Sequence, residues 1–137
     1  MLNLQEIRVL ESCINTTFGK SSYRESGHNI KFKTMNHCDV GFVLEVRFET
    51  MLNINPREGV GTQQKEYDDR SRKAIDEEIK RVKADFRAES GRALKIKEFK
   101  SERAGQQPLK ESYLEVISYN SSLMRGKYYR TIQYHIE

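Results

Sequence analysis

The alternation of residues between Val40 and Leu52 restricts how this chain can fold more than any other feature. Every second residue of this run is apolar or threonine, and three of the six residues between them are charged. A period of two places the apolar side chains on one face of a β-strand. The pattern predicts a long strand with one face in the core and one face in water.

A shorter strand precedes this run and completes a predicted hairpin. Ile30, Phe32 and Thr34 alternate with two lysines, which repeats the period of two. Asn36-His37-Cys38-Asp39 lies between the two runs and has the polar composition of a turn. We therefore expect an antiparallel hairpin in the first half of the chain.

Helical periodicity appears in two places. A long helix is predicted over residues 64–90, because its apolar residues recur every three or four positions and acidic residues stand four before basic ones. Gly91 follows, at the position where a left-handed residue ends a helix. A shorter amphipathic helix is predicted over residues 3–14. The apolar residues of the long helix are Tyr67, Ile75, Ile79, Val82 and Phe86.

Three further strands are predicted in the second half of the chain, at Ala93–Lys100, Tyr113–Asn120 and Lys127–Ile136. Residues 121–126 are short enough to turn a second hairpin between the last two strands. Residues 53–63 and 101–110 contain proline and glycine and are predicted to be loops.

This order of elements indicates an α+β fold. We expect a single domain over residues 1–137, because domains commonly hold roughly 100–150 residues. Its sheet should be mostly antiparallel, with about five strands: two hairpins plus one strand. One long and one short helix should pack on one face, because each has a single apolar stripe. The other sheet face is then partly open.

The beginning of the sequence and the cysteines bear on location. The first residues have no basic segment followed by an apolar run, so no secretory signal peptide is expected. No stretch approaches the roughly 20 apolar residues of a membrane span. We expect a protein that is cytoplasmic, or incorporated into a virion or other assembly, without membrane contact. Cys13 and Cys38 are then expected to be free thiols.

Three kinds of chemical site need consideration in this sequence: a metal site, a magnesium-dependent nuclease site, and a nucleophile or phosphate-binding motif. His37, Cys38 and Asp39, with His28, Cys13 and His135 elsewhere, lack the paired spacing of a zinc site. Glu98-Phe99-Lys100 would fit a magnesium nuclease if Asp39 or Asp85 lay beside it, but a solvated strand explains the tripeptide equally well. No nucleophile elbow and no complete phosphate-binding loop are present. We expect no enzyme activity, no cofactor and no metal.

Tyrosine is concentrated near the end of the chain, where five of the seven tyrosines follow residue 112. Tyrosine is enriched at protein interfaces because it offers a broad apolar ring and a hydroxyl group. The alternative is that outward aromatic side chains only stabilise cross-strand pairs. The predicted interface residues are Val43, Met51, Tyr113, Tyr119 and Tyr129.

Basic residues are concentrated in the middle of the chain. Residues 57–103 hold fourteen Lys or Arg and eleven Asp or Glu, whereas residues 1–56 hold six of each. A basic stripe here would suit phosphate contacts, although interleaved acids are also typical of a solvated helix. The stripe consists of Lys83, Arg87, Arg92, Lys95, Lys97, Lys100 and Arg103.

These observations lead to two expectations about function. The first is a non-catalytic structural or assembly protein that forms a homo-oligomer through sheet edges and tyrosine-rich contacts. Its small size and the absence of a catalytic motif fit a virion component or morphogenesis factor of virus or phage type. The alternative is a nucleic-acid-binding accessory or regulatory protein that uses the basic stripe around Lys95 to Arg103.

Overall fold

The computed structural model describes residues 2–19, 28–37, 41–99, 112–119 and 124–137. These ranges contain two helices and five strands that form one antiparallel sheet, so the expected α+β fold is confirmed. The helices are α1 (Leu4–Phe18) and α2 (Val60–Ser90). The strands are β1 (His28–His37), β2 (Gly41–Ile54), β3 (Ile96–Phe99), β4 (Ser112–Tyr119) and β5 (Met124–Ile136).

The sheet has β2 and β5 at its centre. β1 pairs with the outer side of β2, and β5 pairs with the other side of β2 from Phe42↔Ile136 to Ile54↔Met124. β3 and β4 both pair with the remaining side of β5, one after the other along its length. The sheet therefore has four rows. β1, β2 and β5 each form one row, and β3 and β4 share the fourth.

Both predicted hairpin pairings are present. β1 and β2 pair from His28↔Thr50 to His37↔Gly41, and β4 pairs with β5 from Ser112↔Arg130 onwards. The turns predicted at residues 36–39 and 121–126 are too long, because residues 36–37 belong to β1 and residues 124–126 belong to β5. The other residues of both predicted turns lie outside the described residues. The predicted loop at residues 53–63 is wrong at both ends. β2 continues to Ile54, and α2 begins at Val60.

Local contacts fix the helix ends. α1 begins with a capping box in which Asn3 and Glu6 bond each other's backbone N–H groups. The prediction that α1 ends at residue 14 is wrong, because its buried stripe continues through Thr17 and Phe18. α2 ends as predicted at Gly91, which has φ 73°. The N–H of Gly91 donates to the carbonyl oxygen of Arg87.

The core lies between the two helices and one face of the sheet. The predicted alternation of β2 is confirmed, since its apolar set faces this core together with the matching residues of β5. Both helices contribute buried side chains to the same cluster. The largest fully buried side chains are Tyr128, Phe86, Leu10, Ile14, Leu44, Ile75 and Ile136.

A buried polar cluster joins α2 to β5 within this core. The hydroxyl of Tyr128 donates to Oδ1 of Asp68 at 2.5 Å and lies 3.2 Å from the hydroxyl of Ser71. The Arg130 guanidinium donates to the main-chain carbonyl of Asp68 at 2.9 Å and lies 3.7 Å from its carboxylate. Ser71 and Tyr128 are completely buried. The cluster supplies partners for the buried hydroxyl groups of Tyr128 and Ser71, whereas Nε of Arg130 is buried without one among the described residues.

The cluster changes one prediction about α2. Asp68 and Arg72 are one of the acid–base pairs that the four-residue spacing predicts on the exposed face of this helix, but this pair does not form. Asp68 points towards β5, and Arg72 instead forms an ion pair with Glu98 of β3. Spacing within a helix could not reveal these partners, because both come from strands more than twenty residues away.

Replacing Tyr128 with Phe is expected to lower the free energy of unfolding by about 1–3 kcal/mol, because Asp68 and Ser71 each lose a buried partner. Chemical denaturation of the variant measures this change. Tyr119→Phe is the matched control, since this tyrosine is 73% exposed, and its effect should stay within about 0.5 kcal/mol. Equal effects in the two variants would contradict the role of the cluster.

The pH dependence of stability gives a second test of the same cluster. Burial, with the hydrogen bond to Asp68, raises the pKa of Tyr128 from 10.0 to about 12. The unfolded chain therefore loses this proton first as the pH rises. The stabilising contribution of Tyr128 is complete below pH 10 and is lost as the pH approaches 12. We expect Tyr128→Phe to lose less stability than the wild type across this interval, as measured by denaturation at each pH.

Candidate interaction surface

The face of the sheet opposite the helices, hereafter the open face, carries the side chains that alternate with the core set. Its strands bring six basic and three acidic side chains together. The described residues of the whole chain carry 19 Lys or Arg and 16 Asp or Glu. The excess of basic over acidic side chains is therefore three on the open face and also three in the described residues as a whole. These side chains are Lys31, Lys33, Arg47, Lys97, Arg125 and Lys127, with Glu45, Glu49 and Glu115.

Glu49 occupies the centre of the open face and is almost completely buried. Its carboxylate lies 3.0 Å from Arg47, 3.4 Å from Lys31 and 3.7 Å from Lys127. Three cations thus surround one anion, and each cation keeps between 31% and 60% of its side chain exposed. The site has a positive surface above a single buried negative charge.

Two tyrosines stand beside this charged centre. The rings of Tyr113 and Tyr129 stack with centroids 4.5 Å apart and planes 23° from parallel. The Tyr129 ring also lies 4.9 Å from the guanidinium carbon of Arg47 and 4.9 Å from Nζ of Lys127, which is cation–π distance. The stack thus places an aromatic surface beside the cations, from β5 to β4, where the Tyr129 hydroxyl also donates to the Glu115 carboxylate at 3.4 Å.

β4 forms an unusually apolar border to the sheet. Tyr113, Val116, Ile117 and Tyr119 are all exposed, the last two by 51% and 73%. Ser112–Tyr119 contains no lysine, arginine, proline or glycine. Natural edge strands are commonly protected by lysine, proline or an abrupt bulge. Of these devices, β4 has only a register shift between Val116 and Ser118.

Among the residues that the structure describes, the backbone of β4 has one outward contact. The side-chain amide of Gln64 donates to the carbonyl oxygen of Ser112 at 3.3 Å, and Ser112 is the first residue of the strand. Because backbone groups point alternately to the two edges of a strand, Leu114 and Val116 present the next outward groups. In the described part of the chain, β4 pairs only with β5.

The opposite border of the sheet differs in composition. β1 carries Lys31 and Lys33 on the open face, and α1 contacts the strand from the core side. Lysine on an edge strand opposes pairing with another strand, because burial of its charge is unfavourable. Of the two borders, β4 is the one whose composition favours addition of a further strand.

The five predicted interface residues all lie on the open face or on β4, but they differ in how much of each side chain is exposed. Tyr113 and Tyr129 form the stack, Tyr119 lies at the end of β4, and Met51 is 45% exposed on β2. Val43 lies on the open face, but only 3% of it is exposed, which leaves little surface for a partner. Their role in binding stays a prediction.

The structure distributes the predicted basic stripe over several surfaces. Lys83 and Arg87 are exposed on α2, on the helical side of the sheet. Lys97 is in register with His135 on the open face, and Arg92 forms an ion pair with Glu6. Lys95 bonds through its backbone to Glu137. Lys100 and Arg103 lie outside the described residues.

The candidate metal and nuclease residues are also separated. Cys13 is buried in α1, where burial raises the pKa of its thiol, and Asp85 lies on α2. Glu98 is paired with Arg72, while Cys38, Asp39 and Lys100 lie outside the described residues. Within the described ranges, no group of three or more His, Cys, Asp or Glu is placed to hold a metal ion.

Several residues of the surface were missed by the sequence reasoning. The sequence pattern places Val116 and Ile117 in a strand but does not indicate which face of the sheet they occupy. It does not predict that Lys31, Arg47 and Lys127 are neighbours, because these residues lie on three different strands. The absence of any lysine or proline in residues 112–119 was a signal that could have identified β4 as the unprotected edge.

Comparison with known proteins gave no relative. No protein-family model, no curated protein and no solved structure matches the chain. Neither described helix has the length and apolar character that crossing a bilayer requires. The geometry of the open face and of β4 is therefore the basis for any inference about function.

Replacing Glu49 with Gln should lower the free energy of unfolding by about 1–2 kcal/mol, because three neighbouring cations lose their shared anion. The loss should shrink in concentrated salt, which screens their repulsion. Chemical denaturation at low and high salt measures both effects. Glu115→Gln, which removes an exposed carboxylate from the same face, is the control and should cost less than about 0.5 kcal/mol. A stable Glu49→Gln variant at low salt would show that the charge arrangement is unimportant.

Proposed function

We propose that this protein is a non-catalytic subunit of an assembly and that it binds other copies of itself through β4. The observation that carries the proposal is the edge from Ser112 to Tyr119, which has four exposed apolar side chains and no lysine or proline. Pairing with another strand would satisfy the outward backbone groups of that edge. It would also remove the apolar side chains from water.

The sequence of β4 supports pairing with a second copy. An antiparallel pair centred on Val116 places Glu115 opposite Ile117, so the two Glu115 carboxylates do not face each other directly. Like charges placed opposite destabilise a sheet, and this register avoids such a contact. A two-fold contact of this kind is the commonest arrangement in homo-oligomers.

The burial of the hydrogen-bonded cluster of Ser71, Tyr128 and Asp68 supports a non-catalytic role. Ser71, Tyr128 and Asp68 contain a hydroxyl pair and a carboxylate within hydrogen-bond distance. Ser71 and Tyr128 have no exposed surface, so a substrate has no access to their hydroxyl groups. This cluster is better explained as the link between α2 and β5.

A role as a virion component or a morphogenesis factor of virus or phage type is the finer form of this proposal. Such assemblies repeat one subunit contact many times, and a strand edge suits repetition because each pairing uses the same backbone groups. The small size of the chain is compatible with such a subunit.

The native mass in solution tests the proposal. Light scattering should give a mass that is a multiple of 16.1 kDa, and this mass should persist at high salt because the contact is apolar and backbone-based. Ile117→Lys should shift the particle towards the monomer, since a charge on an edge strand opposes pairing.

Leu4→Lys is the matched control for this variant. Leu4 is 66% exposed at the start of α1, so the same type of change is made away from β4. The control should keep the wild-type mass. A monomeric wild type at all concentrations, or an oligomer that Ile117→Lys leaves intact, would refute the proposal.

A further inference from the structure

We infer that the open face binds single-stranded nucleic acid, with phosphates on its basic side chains and a base stacked on Tyr113. This site differs from the basic stripe predicted from the sequence, and it does not depend on the proposed assembly. It combines the two features that sequence-tolerant binding of single strands requires, a positive track and an aromatic platform.

The distribution of charge favours a polyanion on this face. The open face holds six basic and three acidic side chains, and the rest of the described chain is neutral overall. Glu49 is almost completely buried, whereas Lys31 and Arg47 are 60% and 43% exposed. A ligand in water therefore meets the cations first, and the central anion holds them in position.

The stacked tyrosines favour a ligand with aromatic rings. One face of the Tyr113 ring lies on Tyr129, and the side chain is still 40% exposed at the edge of the sheet. A nucleic-acid base on the outer face of Tyr113 would extend the stack by one ring. Stacking of this kind is tolerant of sequence, because every base has a π-face.

The dimensions of the sheet set the length of the bound segment. From β1 to β4 there are three strand spacings of about 4.8 Å, or roughly 14 Å in total. This width suits roughly two to four nucleotides lying across the strands, similar to the number of bases that other open sheets hold. Bases in a duplex are already stacked on one another, so the tyrosine platform selects the single strand.

Two-fold pairing of β4 would place a partner strand beside the outer face of Tyr113, so the stacking position belongs to the single copy, whereas the basic side chains of the open face would stay exposed. Strands in an antiparallel pair are related by an axis perpendicular to the sheet, so two copies would present their open faces on the same side. The bound strand could then continue from one copy to the next. Binding to a single copy does not require this pairing.

Fluorescence anisotropy with labelled oligothymidylate and oligouridylate of roughly twelve nucleotides tests the inference. The logarithm of the binding constant should fall linearly with the logarithm of salt concentration. In Lys31→Gln/Lys33→Gln the steepness of this line should decrease by about 0.7 for each lysine that contacts a phosphate. Comparison of the two oligonucleotides shows whether the sugar contributes.

Three further variants separate the parts of the site. Tyr113→Leu should weaken binding about tenfold without changing the salt dependence, because stacking releases no counterions. Glu115→Gln should tighten binding, because it removes an acid from the face. Lys83→Gln/Arg87→Gln removes two charges from the exposed side of α2 and should leave binding unchanged. Thermal unfolding of each variant confirms that it is folded.

The outcomes divide clearly. The inference is supported if the β1 lysines and Tyr113 matter while Lys83 and Arg87 do not. It is overturned if no binding occurs at low salt, or if the α2 variant is the one that weakens binding. It is also overturned if Tyr113→Leu binds normally and inorganic polyphosphate competes as well as the oligonucleotide, since the face would then recognise charge alone.

Discussion

The pairing of β2 with β5 is the contact on which the rest of the structure depends. It runs without interruption from Phe42↔Ile136, which are 94 residues apart in sequence, to Ile54↔Met124, which are 70 apart. β1 is attached through β2, and both β3 and β4 are attached through β5. The helices cover the apolar face that this pair creates, and the charged open face is its reverse side. A change that separated β2 from β5 would remove the core and the candidate surface together.

The contact between α2 and the sheet is partly polar, and this affects how precisely the helix is placed. Apolar packing tolerates sliding of a helix along a sheet, whereas hydrogen bonds are directional. The Tyr128 hydroxyl and the Arg130 guanidinium both converge on Asp68, and Arg72 reaches Glu98 on β3. Gln64 adds a contact with the first residue of β4. The helix is thus aligned with β3, β4 and β5, the strands that form one border of the sheet.

The elements of this fold could be predicted from the sequence where a single periodicity determined them. The period of two gave β2, and the apolar stripe from Ile75 to Phe86 gave most of α2, together with its end at Gly91. The start of α2 could not be predicted from periodicity, because it involves a side-chain contact with the preceding segment. Gln63 there accepts a hydrogen bond from the N–H of Asn55. The candidate surface was predicted only in part. Its tyrosines could be assigned to the last two strands from the sequence, but its cations come from β1, β2, β3 and β5, and only the strand order brings them together.

The central position of β5 has a consequence for how the protein is made. A ribosome delivers β2 well before β5, so during synthesis β2 has paired with β1 but still lacks its second neighbour. For this interval a fourteen-residue strand rich in Phe, Val and Leu exposes a bare row of backbone groups. Slow completion of long-range strand pairing exposes a chain to misassociation. The nascent protein is therefore most exposed to misassociation before β5 emerges.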